Sequence, residues 1–198
     1  MKSIHRIDLY LTQTINKFIY KNRVISLILK YITHTSGGRT YILYFILIPF
    51  LPKVTGELVS SDLAIFMWVY GGTAFILFQL PAYFLIKSTF KRMRPGPADG
   101  VHSITRPPDK FSFPSGHSAS ATFLYLIVLQ QGSALSPYFA VWMGVILISR
   151  VGLGLHYVSD VLGGVALGAA TFCVTLQISV LNLDASHRAY GVLSSIIN

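Results

Sequence analysis

Apolar blocks alternate with short polar stretches along this chain, and the first block is periodic rather than continuous. Ile4, Ile7, Leu11, Ile15 and Phe18 recur at helical spacing, which predicts an amphipathic helix over residues 1–20 lying in a membrane interface. Its Lys2, Arg6, Lys17 and Lys21 suit anionic headgroups. Six apolar segments follow, over roughly 22–35, 39–52, 62–86, 117–132, 137–154 and 157–183. A full crossing needs about 20 residues; the third and sixth segments have that length, and the first two fall short. Were the first pair a re-entrant or tilted hairpin, the parity of the later spans would not change. In lipid each span must satisfy its own backbone hydrogen bonds, so the expected fold is all-α. It is a polytopic membrane helix bundle of about six transmembrane helices with an amphipathic N-terminal helix, in one domain over 1–198.

Composition supports this reading. Of 198 residues, 53% are hydrophobic and 12% charged, against about 25% charged in a soluble domain; too few polar side chains remain to cover a water-facing surface. Cys173 is the lone cysteine, which excludes an intrachain disulfide. No Cys/His cluster suggests zinc, and neither metal nor other cofactor is expected. The N-terminus lacks the continuous apolar core and small-residue cleavage site of a signal peptide. Gly163, Gly164 and Gly168 in the last segment predict close helix packing, and the small residues from Ser118 to Ala121 would let a neighbouring helix approach.

The polar stretches converge. The third segment ends at Lys87, the fourth starts at His117, the fifth ends at Arg150 and the sixth begins near His156. Alternating direction puts all four ends on one face of the membrane. Residues 87–160 thus bring together the cations Lys87, Arg94 and Arg150, two histidines, one carboxylate and a Ser115–Gly116 pair at a helix start. Free N–H groups and the positive dipole end make a helix N-terminus an anion site, and arginine's planar fork matches phosphate oxygens. His156 and Asp160 stand four residues apart, which predicts that they share one helical face. An aspartate on one imidazole nitrogen leaves the other free to attack, and His117 would serve as general acid. The chemistry suggested is phosphoryl transfer in which cations, without metal, stabilise the equatorial oxygens.

Three stretches resemble the tripartite signature of the type 2 phosphatidic acid phosphatase superfamily, which includes the vanadium haloperoxidases. KSTFKRMRP supplies Lys87, Arg94 and Pro95; PSGH supplies Pro114 to His117; SRVGLGLHYVSD supplies Ser149, Arg150, His156 and Asp160. The layout looks like the family's bacterial membrane branch, which includes enzymes resembling phosphatidylglycerophosphatase B and undecaprenyl pyrophosphate phosphatase. The resemblance implies His156 as nucleophile, Asp160 as its orienting partner and His117 as proton donor. It also implies Lys87, Arg94, Arg150, the Ser115 hydroxyl and the Gly116 N–H as phosphate ligands. It implies a multi-pass enzyme of the bacterial inner (plasma) membrane, its site facing the periplasm or cell exterior, hydrolysing a membrane lipid phosphate or pyrophosphate.

Plainer readings stand beside these roles. Lys91 and Arg92 read as headgroup contacts, Pro114 as helix-start punctuation, and His5, His34, His102 and His187 as surface or interface residues; Tyr157 is either packing or lining of a lipid entrance. Seven Lys/Arg on the terminal side, among them Lys53 and Arg188, face eight on the site side, so the positive-inside rule does not decide orientation. Setting aside the three expected phosphate ligands leaves seven against five, favouring an outward site. A nucleic-acid partner is not expected, and the oligomeric state is open. So is the substrate: undecaprenyl pyrophosphate, favoured because little extramembrane structure exists to read a large headgroup, phosphatidylglycerol phosphate, phosphatidate or lipid A. Transfer to a second lipid instead of water, and a non-catalytic anion-binding protein, remain alternatives.

Overall fold

The computed structural model describes residues 2–50, 59–107 and 109–197, with side chains for 5–48, 50, 59–107 and 109–181. The side chains of Lys2, Ile4, His187 and Arg188, residues 51–53, and the side chains of 182–183 at the end of the sixth segment lie outside that description. Among the described residues the regular structure is helical, apart from one antiparallel bridge between Met93 and Phe111.

Seven helices follow in order: α1 (Lys2–Lys21), α2 (Arg23–His34), α3 (Gly38–Leu47), α4 (Ser61–Phe90), α5 (Gly116–Gln130), α6 (Ser136–Gly152) and α7 (Val158–Ile197). Their starts follow local chemistry. Asn22, Ser60 and Ser115 each accept an N–H from the first turn that follows, satisfying donors that otherwise lack partners, and Pro137 occupies a first-turn position of α6, where its missing N–H costs nothing. α4 widens into π-helical turns at Phe66–Gly71 and Phe75–Gln79. It ends at Lys91, whose left-handed φ of 44° turns the chain out of the helix.

α4 and the Val158–Leu181 part of α7 are long and apolar enough to cross a membrane. α5 has 15 residues, α6 has 17 and α2 has 12. At 1.5 Å per residue α2 spans about 18 Å, short of the roughly 30 Å hydrocarbon core. Each predicted apolar segment therefore contains a helix, but six full crossings are not given by helix length. Leu77, Leu85, Val141 and Leu162 stand largely exposed on α4, α6 and α7, a surface suited to lipid rather than water.

α7 packs most extensively against α5, and glycine permits it. A Cβ on Gly164 would sit 2.4 Å from the Ser115 carbonyl oxygen, and one on Gly168 would sit 2.3 Å from that of Ala119. Two apolar clusters hold the layers. Ile48, Leu63, Phe123 and Ile127 join α4 and α5 to the short turn after α3, while Ile19, Leu29, Leu153 and Leu155 join α1 and α2 to the loop before α7. Burying one leucine contributes about 1.5–3 kcal/mol, so Leu153 and Leu155, both essentially inaccessible, pin the loop that carries His156.

α1 presents its polar side inward. Asp8, Thr12 and Asn16 are buried, whereas Ile7, Leu11 and Phe18 are exposed. Asn16 donates to the carbonyls of His102 and Gly152 and accepts the His102 N–H, tying α1 to the end of α6 and to the loop between α4 and α5.

Candidate active site

Lys87 lies in the last turn of α4, buried, and Arg94 in the loop beyond it. Their side chains meet on one carboxylate: Lys87 Nζ is 2.7 Å from Asp109 Oδ2, and Arg94 Nη2 is 2.6 Å from Asp109 Oδ1. Arg94 Nε also donates to the Asp109 carbonyl at 2.9 Å. Tyr83 bonds both Lys87 and Asp109. Burial alone would raise the Asp109 carboxyl, but hydrogen bonds and charge from Lys87 and Arg94 outweigh it and hold the group below the usual carboxylate range.

His156 lies in the loop joining α6 to α7. Gly154 makes that loop possible: its φ is +72°, and a Cβ there would lie 2.4 Å from the His102 carbonyl oxygen. The N–H groups of Leu155 and His156 both donate to the Arg150 carbonyl. The imidazole is 2% exposed. Its Nε2 lies 3.1 Å from Arg94 Nη1; guanidinium only donates, so Nε2 accepts and Nδ1 carries the proton. Burial first, then the charges of Arg150, Arg94 and Lys87, hold His156 well below its ordinary value, leaving a neutral ring with an available lone pair.

Asp160 occupies the first turn of α7 and is fully buried. Its Oδ2 accepts the Tyr157 N–H at 2.9 Å and lies 3.6 Å from His156 Nδ1. The two residues approach, though not on one helical face as their spacing suggested: α7 begins only at Val158, so the loop brings them together. Arg150, 2% exposed, donates through Nη1 to Thr33 Oγ1 at 2.9 Å, and its buried Nε has no partner among the described residues. A donor left open in a dry site costs stability unless a ligand takes it.

The PSGH stretch forms the N-terminus of α5. Ser115 is fully buried; its Oγ accepts from the Ser118 N–H and hydroxyl, and its own N–H donates to the Asp160 carbonyl at 3.0 Å. Its acceptor capacity is therefore spent on the helix start, and its N–H locks that start to α7. Gly116 lies under the Tyr83 ring, where a Cβ would come within 3.0 Å. His117 is half-buried; its carbonyl accepts from Ser36 Oγ, and its Nε2 lies near Gly37 in the turn between α2 and α3. Among the described residues no hydrogen bond joins the His117 ring or the Arg150 side chain directly to the Lys87, Arg94 and His156 group.

Several participants carried no motif. Asp109 is one of only seven acidic residues, and a carboxylate in so basic a loop was itself a signal. Asp8, Thr12 and Asn16 repeat at four-residue spacing, a polar stripe legible beside the apolar one. Arg92, expected at headgroups, instead bridges Asp8 and Asp160. Tyr157 is buried and donates to Asp99 Oδ2. Lys91, His5, His34 and His102 are exposed.

A helical membrane fold carrying these three stretches at one end defines a known class. The PAP2 superfamily profile matches residues 62–184, more than half the chain, and the chain belongs to that superfamily. Among curated relatives it is 37% identical over 99 residues to phosphatidylglycerophosphatase B of Bacillus subtilis, covering 44% of this chain and 46% of that one. It is 41% identical over 102 residues to decaprenylphosphoryl-5-phosphoribose phosphatase of Mycobacterium tuberculosis, covering 51% and 54%. The chain thus spans about half the length of the curated relatives it matches. Solved structures extend the likeness of fold. A transmembrane PAP2-type phosphatidylglycerolphosphate phosphatase from Bacillus subtilis superposes with TM-score 0.70 at 22% identity, over 90% of this chain and 87% of that one. Aquifex aeolicus LpxE gives 0.66 at 21%, over 85% and 94%.

Proposed function

We propose that this protein is a membrane lipid phosphatase acting through a phosphohistidine, without metal. One observation carries the reading: Lys87 and Arg94 already grip an anion, the Asp109 carboxylate, beside the His156 Nε2 lone pair. A substrate phosphate would replace that carboxylate and draw Arg94 off His156. It would gain Arg150 Nε, the Gly116 N–H and the Ser115 hydroxyl hydrogen as further donors. His156 Nε2 then attacks phosphorus as the bond to the leaving oxygen breaks, and His117 gives that oxygen a proton, a contribution of about 10²–10⁴-fold. Water next attacks the phosphohistidine, the P–N bond breaks, His117 takes the water proton, and Nε2 regains its lone pair. Asp160 balances the charge that His156 acquires in between.

The lipid tails would lie against the exposed apolar side chains of α4 and α7. α4 to α7 would cross the membrane, with α2 and α3 as the remaining pair of a six-segment layout. α1 would rest in the headgroup layer with Ile7, Leu11 and Phe18 in lipid. The site would face the outer side of a bacterial plasma membrane. The relatives' names divide between a glycerophospholipid phosphate and a polyprenyl one, which supports a lipid monophosphate or pyrophosphate and leaves the tail open.

The test is phosphate release by the purified protein from phosphatidate, phosphatidylglycerol phosphate, undecaprenyl pyrophosphate and lipid A in mixed micelles. Turnover of at least one, abolished in His156→Ala, is expected. Release by His156→Ala at the wild-type rate would sink the mechanism. His117→Ala should lose less on substrates with better leaving groups, and product analysis with a second lipid present separates hydrolysis from transfer.

A further inference from the structure

Asp160 has two carboxylate oxygens with different partners. Oδ2 faces the Tyr157 N–H and His156, as above. Oδ1 is held 2.8 Å from Arg92 Nη1. The other terminal nitrogen, Arg92 Nη2, lies 2.7 Å from Asp8 Oδ2 on α1. One guanidinium fork therefore spans two carboxylates, with its plane over the Tyr157 ring at 4.0 Å. Asp8 itself accepts the Ser159 N–H at 2.9 Å and the Ser159 hydroxyl, and Thr12 Oγ1 accepts the Val158 N–H at 3.2 Å. These are first-turn donors of α7, which a helix cannot satisfy from within. α1 thus caps, from outside, the helix that carries Asp160.

We propose that Arg92, anchored by Asp8, is a positioning residue that fixes the Asp160 carboxylate so that Oδ2, which also accepts the Tyr157 N–H, faces His156. The proposal rests on the reading of His156 and Asp160 given above. A carboxylate at 0% exposure has no water to orient it; its direction is set by its hydrogen bonds. With Arg92 holding Oδ1, Oδ2 is directed at the Tyr157 N–H and the imidazole. Without Arg92, Oδ1 loses its ion pair and the carboxylate is held less firmly. Lysine is a point charge and cannot reproduce the fork between two carboxylates.

The experiment uses the full chain in detergent–lipid micelles, with dioleoyl phosphatidate and farnesyl pyrophosphate as probes. Arg92→Ala and Asp8→Asn should each lower kcat on the order of 10–100-fold, the range seen when a partner that orients a reactive group is removed, with KM little changed. Arg92→Lys should rescue only in part. In an Asp160→Asn background, Arg92→Ala should cost nothing further. A rise in KM at constant kcat, or losses that multiply in the double variant, would overturn the proposal. A second measurement does not depend on turnover: the Nδ1–H proton resonance of His156, assigned by its loss in His156→Ala, should move upfield in Arg92→Ala and Asp8→Asn. An unmoved resonance overturns the proposal even if neither lipid is a substrate. Absence of wild-type turnover on every lipid counts instead against the phosphatase reading.

Discussion

Replacing Asp109 with asparagine removes the anion from Lys87 and Arg94 while keeping the side chain's size. The carboxylate is 38% exposed, whereas both cations are 9% exposed. A hydrogen bond to a charged group contributes about 1.5–3 kcal/mol, and the half-open position of the carboxylate lowers that through solvent screening. A net penalty of about 1–2 kcal/mol for displacing it follows, and any phosphate entering the site must overcome it. At 1.4 kcal/mol per decade, Asp109→Asn should bind inorganic phosphate about 5–30-fold more tightly. The assay is inhibition of lipid turnover by orthophosphate, supported by the rise of Tm with phosphate. The unliganded variant should melt earlier than wild type, since two buried cations lose their counter-charge, and should recover more on adding phosphate. Unchanged or weaker phosphate inhibition would refute the idea that Asp109 occupies the phosphate position. It would make the carboxylate part of the scaffold instead.

Other outcomes can be checked alongside. Because His156 is held below its ordinary value, the unfolded state binds more protons once pH falls below about 6.5. Wild-type stability should therefore fall as pH drops through that window, and His156→Gln should flatten the slope in pH-dependent denaturation. Gly164→Ala places a methyl group 2.4 Å from the Ser115 carbonyl oxygen; overpacking of this kind costs about 1–3 kcal/mol, read as a lower Tm, with turnover falling as α5 is pushed from α7. Turnover should persist in EDTA, and strong inhibition by the chelator would contradict the metal-free step.

The sequence made the motif residues legible because their spacing is local and the alternation of spans brings separated motifs to one face. Lys87, Arg94 and His156 do come together, and Gly164 and Gly168 do mark the α5–α7 seam. What spacing does not encode is which charge answers which. Arg92 reads like any flanking cation until α1 is seen to place Asp8 beside it. Ser115 reads as a phosphate ligand, and spacing does not show that its oxygen also accepts from Ser118 while its hydroxyl hydrogen stays available. His156 and Asp160 read as one helical turn because a four-residue interval does not reveal that Gly154 delays the helix until Val158. Helix bounds were legible where caps mark them: the run 22–35 is the helix Arg23–His34 with its two caps, Asn22 and Thr35.

The capping of α7 by α1 also bears on the order of assembly. Asp8 meets Arg92, 84 positions later in the chain, and Thr12 and Asp8 meet residues 158 and 159 only 146 and 151 positions later. During synthesis the buried stripe of α1 lacks its α7 partners until nearly the whole bundle has emerged, although Arg92 and His102 come earlier. Until then its polar groups need water, which the membrane surface supplies and the bilayer interior does not. On the proposed layout the segment would wait at the surface and complete its docking late, so its closure over residue 160 would be among the last steps of assembly.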